Sequence, residues 1–329
     1  RPLRDLRISV TDRCNFRCPY CMPKEVFGPD HAFLPESAVL CDDEIVRLAR
    51  AFTRAGVNKL RITGGEPLMR AGLPALLARL AALPEAADLS LTTNGWMLAR
   101  LAPELAAAGL HRVNVSLDAL DDALFGRMNG RDFGARRVLD GIDAARAAGL
   151  GVKINMVVQR GVNESEILPM ARYFRARGIT LRFIEYMDVG NCNGWRMDQV
   201  VAAQDIVARI HADQPVEPID PNYHGEVAAR YRYVGTTTEI GIISSVTEPF
   251  CSACHRARLS ADGKLFTCLF AQHGTDLRAV LRAGIDDEAL YALVCRVWRA
   301  RADRYSDERA ELLARGEHPE KIEMSYIGG

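Results

Sequence analysis

Over the first two thirds of the chain, short runs of β-branched and aliphatic residues alternate with longer segments whose apolar residues fall three and four apart. The runs are Leu6–Val10, Lys59–Thr63, Leu89–Thr93, Arg112–Leu117, Val152–Val158 and Leu181–Tyr186, and each reads as a strand. Between them, Glu44–Arg54, Leu73–Leu83, Ala135–Ala148 and Glu164–Ala176 carry the 3.6-residue period of helices packed by one face. Such alternation predicts parallel strands joined by crossover helices. Six units are too few to close an eight-unit barrel, so the expectation is an α/β fold with an open, partial (β/α)6 barrel of TIM type. Its reactive residues should lie beyond the C-terminal ends of the strands.

The pattern breaks at Pro215–Pro221, after which Tyr231–Val246 alternates in the manner of antiparallel strands. Asp262-Gly263, between Arg256–Leu259 and Lys264–Thr267, predicts a type I′ hairpin. Helical periodicity returns at Leu277–Ala283 and Asp287–Tyr305, and the chain closes on Ser325-Tyr326-Ile327-Gly328-Gly329. The division predicted is a barrel over residues 1–215 and a C-terminal α+β domain over 216–329.

Charge narrows the function classes. Lys+Arg and Asp+Glu both number 42, so no global field draws nucleic acid or an anionic membrane, and any anion site must be a local cluster. No apolar run reaches the ~18 residues of a spanning helix. The start at Arg1 lacks the apolar stretch of a secretory signal, and the expectation is a cytoplasmic protein. Nine cysteines, an odd number in a chain of 329 residues, suggest metal ligands or free thiols rather than a disulfide scaffold.

Cys14, Cys18 and Cys21 stand as C-x3-C-x2-C directly after the first strand. A zinc site would need a fourth ligand, and the nearest histidine, His31, is ten residues past Cys21. Three thiolates suit a cubane iron–sulfur cluster with one iron open to another ligand. The run C-N-F-R-C-P-Y-C resembles the signature of the radical S-adenosylmethionine enzymes, and Gly64-Gly65-Glu66-Pro67 after the second strand resembles their glycine-rich segment. The resemblance implies that S-adenosylmethionine chelates the open iron, with Tyr20 beside the adenine; loop packing is the plainer reading of that tyrosine.

Cys251, Cys254 and Cys268 form C-x2-C-x13-C, whose spacing fits zinc and iron–sulfur equally, with His255 or His273 available as a fourth zinc ligand. The wider chain, from D-L-R-I-S-V-T-D-R-C-N-F-R-C through F-C-S-A-C-H-R-A-R-L-S-A-D-G-K-L-F-T-C-L-F to E-M-S-Y-I-G-G, resembles the GTP 3′,8-cyclases of molybdenum cofactor biosynthesis. That resemblance implies a second [4Fe-4S] cluster on these three thiolates, meeting the guanine of GTP. Cys41, Cys192 and Cys295 have no partner spacing and read as free thiols.

Strands covered on both faces should be continuously apolar, yet Arg7, Arg61, Lys153 and Arg182 interrupt them. Four separate salt bridges or exposed edges would explain this; so would one common anion. Arg256 and Arg258 project on one side of a strand and add two forked donors. Asn114, Ser116 and Asp118 are polar at period two, as at a strand end lining a wet site. The resemblance implies GTP contacts from Arg7, Arg61, Thr93, Lys153, Arg182 and Arg256-Ala257-Arg258. It implies S-adenosylmethionine contacts from Gly65, Ser116 and Met187, and a part in catalysis for Arg256, Arg258 and the tail residues Gly328 and Gly329. Core packing is the plainer reading of Met187. The Arg-rich stretch Arg296–Arg309, with acids among its bases, reads as a solvated helix face.

The activity implied is radical cyclisation of GTP to (8S)-3′,8-cyclo-7,8-dihydroguanosine 5′-triphosphate. Its implied partners are a flavodoxin or ferredoxin as electron donor, a downstream cyclic pyranopterin monophosphate synthase and a second copy of the chain, with neither nucleic acid nor membrane. Two rivals stand beside it. A radical enzyme acting on a peptide predicts no dependence on GTP, and a non-enzymatic iron–sulfur or zinc protein predicts no cleavage of S-adenosylmethionine.

Overall fold

The structure, a computed structural model, describes residues 1–317 and 319–328. Strands β1 (Asp5–Ser9), β2 (Lys59–Thr63), β3 (Asp88–Thr93), β4 (Arg112–Ser116), β5 (Gly151–Val158) and β6 (Thr180–Glu185) pair in sequence order, all parallel. The helices between them are α1 (Asp42–Arg54), α2 (Leu73–Ala81), α3 (Leu98–Ala107), α4 (Asp122–Asn129), α5 (Arg136–Ala147) and α6 (Ile167–Ala176). The six-unit expectation holds. Helices α3 and α4 are additional to it: Pro103 inside α3 masks its period, and α4 is a two-turn helix capped by Asp121 and closed by Gly130 at φ 64°.

The rest of the chain widens the same sheet. After α7 (Ala203–Asp213) come β7 (Val216–Ile219), β8 (Ala229–Tyr233) and β9 (Glu239–Ile243), an antiparallel trio whose last strand joins β6 in parallel. At the opposite edge, β10 (Arg256–Leu259) joins β1 in parallel and carries β11 (Lys264–Phe266) and β12 (Thr275–Asp276) outward. The C-terminal half thus supplies strands to both edges of one twelve-stranded sheet. Helices α8 (Leu277–Arg282), α9 (Asp287–Arg299), α10 (Tyr305–Ala314) and the single turn α11 (Met324–Ile327) follow.

Two expectations are corrected here. The β10–β11 connection is not a type I′ turn, because Asp262 does not have the positive φ that turn requires. Instead, Gly263 N–H donates to the Ser260 carbonyl at 2.9 Å with only Gly263 left-handed, at φ 83°. The helix expected over Asp287–Tyr305 breaks at residues 300–304, because the Arg301 guanidinium is drawn inward to the Cys254 loop.

Alternation along each strand separates two environments. Leu6, Ile8, Leu60, Ile62, Leu89, Leu91, Val113, Val115, Ile154, Leu181 and Phe183 are fully buried in one core with helical residues such as Leu48, Leu76, Leu105 and Phe174. The alternate positions face the other way and are mostly polar, with Val157 and Ile184 as apolar exceptions. Arg61 on β2 and Arg182 on β6 would be about 19 Å apart across four spacings of a flat sheet. They are close enough for the charge of one to depress the pKa of the other. The sheet is therefore curled, and its polar face encloses a cavity.

Candidate functional site

The cavity holds about 460 Å³ and takes side chains from β1 to β6 and from β8, β9 and β10. Strand register sets the inward positions of these strands in rows. Arg258, Arg7, Arg61, Ser90 and Arg112 are successive partners across β10, β1, β2, β3 and β4. A second row runs Thr92, Asn114, Lys153, Thr180, and a third Ser116, Asn155, Arg182, Gly241. The expectation placed the chemistry beyond the C-terminal strand ends, where the first cysteine loop and Met187 do lie. The cations run deeper, down to Lys59 and Arg112 at strand N-termini.

Ten cationic side chains line this space against six carboxylates. Some are paired: Arg112 with Asp88 at 2.8 Å, Arg230 with Glu239 at 2.6 Å, Arg301 with Asp303 at 3.2 Å and, more loosely, Arg61 with Asp5 at 3.9 Å. Arg7, Lys153, Arg182, Arg256 and Arg258 have no carboxylate within salt-bridge distance among the described residues. Separate salt bridges therefore account for Arg61 alone of the four intrastrand cations. The Nε–H groups of Arg7, Arg61 and Arg182 are buried without an acceptor. Burial, with Arg182 and Arg112 adding to it, pulls the Lys153 ammonium down to about 8; burial and Arg61 depress Arg182 to about 9. Like charges held this close and this dry are favourable only when an anion completes the set.

The first triplet lies in the loop after β1, and the segment after β2 is fastened to it. Gly65 N–H donates to the Thr11 carbonyl at 2.7 Å and Glu66 N–H to the Arg13 carbonyl at 2.8 Å. A Cβ on Gly65 would sit 2.2 Å from the Arg13 oxygen, so only glycine allows this approach. Burial raises all three thiols, Cys14 to about 12 with help from Glu66, while Cys18 and Cys21 are raised further by the neighbouring cysteines. Such thiols become thiolates only with metal charge to compensate them. Tyr20 reaches into the cavity and donates to Asp118 Oδ2 at 2.8 Å, tying the loop to β4 and β5 through the Asp118–Val157 N–H contact. Burial lifts that carboxyl to about 6. Among the described residues, no three His, Cys, Asp or Glu side chains converge as they would around a single ion.

Cys251, Cys254 and Cys268 all line the cavity. Neither histidine offered for zinc stands with them: His255 Nε2 is 2.9 Å from the Gly225 carbonyl, and His273 lines a separate space with His31. The Cys254 sulfur takes two guanidinium donors, Arg301 at 3.4 Å and Arg256 at 3.5 Å. Burial works to raise this thiol, but Arg256 and Arg301 outweigh it and bring it to about 6.

Ser116, Met187, Arg7, Arg61, Lys153, Arg182, Arg256 and Arg258 all face the cavity. Ala257, between the two arginines, is fully buried on the other face of β10. Thr93 also points away, its hydroxyl donating to Glu66 at 2.7 Å, and the threonine on the cavity face is its neighbour Thr92. Ile327 is fully buried, and Arg258 donates to the Gly328 carbonyl; Gly329 lies outside the described residues. Lys59, Arg112 and Arg230 were missed, although the first two continue the period-two rows through their strands. Arg301 and Arg309, read as part of a solvated face, are buried, at 4% side-chain exposure each. All nine cysteines are free, and Cys192 donates to Glu323. Among the described residues no helix is long and apolar enough to cross a membrane.

Residues 8–174 match the model of the radical SAM superfamily and 179–307 that of molybdenum cofactor synthesis C. The structure of SuiB from Streptococcus suis bound to S-adenosylmethionine superposes with a TM-score of 0.61 at 16% identity, over 89% of this chain and 68% of that one, which speaks for the fold. A parallel-stranded α/β fold with a three-cysteine loop after its first strand is that of a radical S-adenosylmethionine enzyme, and the chain is one. The GTP 3′,8-cyclase of Acidothermus cellulolyticus is 53% identical over 352 aligned positions, and that of Staphylococcus aureus strain Mu3 49% over 330; each comparison covers all of this chain and 97% of the relative. The chain belongs to the GTP 3′,8-cyclase family.

Proposed function

We propose that the cavity binds GTP and S-adenosylmethionine together and that the chain converts GTP to (8S)-3′,8-cyclo-7,8-dihydroguanosine 5′-triphosphate, the first step of molybdenum cofactor biosynthesis. The observation that carries this reading is the set of five cavity cations with no carboxylate partner among the described residues, sharing one space with the second cysteine triplet. A peptide substrate would leave those charges uncompensated; a triphosphate satisfies them with forked, charge-assisted contacts. The chain binds by Arg7, Arg61, Lys153, Arg182, Arg256 and Arg258, with Thr92 rather than Thr93 as the hydroxyl beside the nucleotide.

Cys14, Cys18 and Cys21 in the barrel of residues 1–215 would hold one [4Fe-4S] cluster, and Cys251, Cys254 and Cys268 in residues 216–329 would hold a second. When bound, the first cluster and S-adenosylmethionine supply a primary carbon radical able to remove a ribose hydrogen atom. Gly65 presents backbone to the methionine end, Tyr20, Ser116 and Met187 line the adenosyl end, and the cations fix the triphosphate so that the ribose faces it in a water-poor chamber. Gly328, whose carbonyl accepts from Arg258, closes the chamber at that end, and Gly329 takes part with it in catalysis. By the same reading the enzyme is cytoplasmic, takes electrons from a flavodoxin or ferredoxin, pairs with a second copy and passes its product to a cyclic pyranopterin monophosphate synthase.

Anaerobic incubation with S-adenosylmethionine, strong reductant and GTP, ATP or guanosine tests it: cyclised nucleotide should form from GTP alone. Cleavage of S-adenosylmethionine with no nucleotide product would return the peptide alternative, and no cleavage at all the non-enzymatic one.

A further inference from the structure

The Cys251–Cys254 turn is gripped by residues that no motif of the site contains. Arg301 Nη1 donates to the Cys254 carbonyl at 2.8 Å while Nη2 reaches its sulfur at 3.4 Å, so one guanidinium holds both ends of a cavity cysteine. Asp303 fixes the third edge of that fork at Nε, 3.2 Å away, and the indole of Trp298 lies under it at 4.7 Å. Arg1 completes the clasp: its Nη1 donates to the carbonyls of Cys251 at 2.9 Å and Asp303 at 2.8 Å. The other two cysteines receive no guanidinium at sulfur among the described residues; Cys268 accepts a backbone N–H from Phe270 at 3.5 Å.

This concentration of buried donors on one sulfur explains why α9 stops at Arg299. Arg256, the other donor to this sulfur, also lines the cavity among the nucleotide's cations, whereas Arg301 spends its three nitrogens on the Cys254 loop and Asp303. Hydrogen bonds and positive charge at a ligating sulfur stabilise the more negative, reduced form of a cluster and fix the ligand's direction.

We propose that Arg301, oriented by Asp303, is a positioning residue for the second cluster: it sets the Cys254 loop and holds the cluster's reduction potential up. The proposal rests on the reading of the second triplet as a [4Fe-4S] site. In the holoenzyme, the second cluster is identified by EPR as the signal that GTP perturbs, and is titrated redox-wise in the wild type, Arg301→Gln and Arg301→Lys. Arg301→Gln should keep the first cluster and its S-adenosylmethionine cleavage, and shift the GTP-sensitive couple about tenfold toward the oxidised form, about 59 mV for one electron. Arg301→Lys, which keeps the charge but not the fork, should recover most of the potential with an altered line shape. If Arg301→Gln instead loses only the second cluster's iron while Arg301→Lys retains it, the positioning role stands. Unchanged potential and line shape in Arg301→Gln would overturn it. Wild-type protein with four irons and no GTP-sensitive signal would overturn the underlying cluster reading instead.

Discussion

Replacing Lys153 by Met should make the protein more stable and the enzyme worse. Lys153 is largely buried, with the charges of Arg182 and Arg112 against it and the weaker influence of Glu226 and Glu239 in its favour, and burial with those arginines lowers it from 10.5 to about 8. At about 1.36 kcal/mol per tenfold change in acidity, that is about 3 kcal/mol of destabilisation, reduced to about 2 by the water that still reaches the group. The folded state holds this proton less tightly than the unfolded chain. The penalty is therefore full below pH 8 and is relieved as pH climbs from about 8 toward 10.5, over which wild-type stability gains. Met keeps the stem and removes the charge, so nucleotide-free Lys153→Met should unfold at a higher temperature at pH 7 and lack the wild type's gain above pH 8. GTP should bind roughly 10- to 150-fold more weakly, a charge-assisted contact being worth about 1.5–3 kcal/mol. Titration calorimetry in buffers of differing ionisation enthalpy adds a second readout. Near pH 9 the wild type should take up close to one proton more than the variant does on binding GTP. A variant that melts lower, or that binds GTP as tightly as the wild type, would refute the idea that the cavity stores unpaired charge for an anion.

Other expectations follow from the two triplets and the glycines. Anaerobically reconstituted protein should hold about eight irons per chain. Ala at Cys14, Cys18 or Cys21 should abolish 5′-deoxyadenosine formation, whereas Ala at Cys251, Cys254 or Cys268 should chiefly damage GTP binding; iron analysis and chromatography of the adenosyl product check both. Gly65→Ala drives a Cβ to 2.2 Å from the Arg13 oxygen and should cost the first cluster's four irons while circular dichroism stays native. Gly328→Ala, at φ 76° with its Cβ 2.3 Å from the Thr63 methyl, should lower cyclisation at least tenfold with iron content and thermal unfolding nearly unchanged.

All six barrel strands were legible to within about one residue at each end, because the alternation that defines them is imposed on both faces, apolar against helices and polar toward the cavity. The same alternation misled at its end. Thr92 and Thr93 are chemically identical, and only the register that starts at Asp88 tells which faces inward. Cysteine spacing located both loops, but not the donors around Cys254. Arg301 is 47 residues away and looked like any other cation in a charged helix; a tertiary contact at one sulfur ended that helix where its local periodicity would have continued it. Asp262-Gly263 marked the hairpin correctly and its turn type wrongly, since Ser260 bonds to Asp262 and Lys264 and draws two more residues into the loop.

The central claim is that this cavity aligns the ribose of GTP with the adenosyl carbon. The most direct measurement uses GTP deuterated at C3′ in an anaerobic single turnover with S-adenosylmethionine and reductant, followed by mass spectrometry of both products. Deuterium should appear in 5′-deoxyadenosine, one per cyclised nucleotide. Unlabelled 5′-deoxyadenosine, accompanied by GTP recovered with its deuterium intact, would contradict the account.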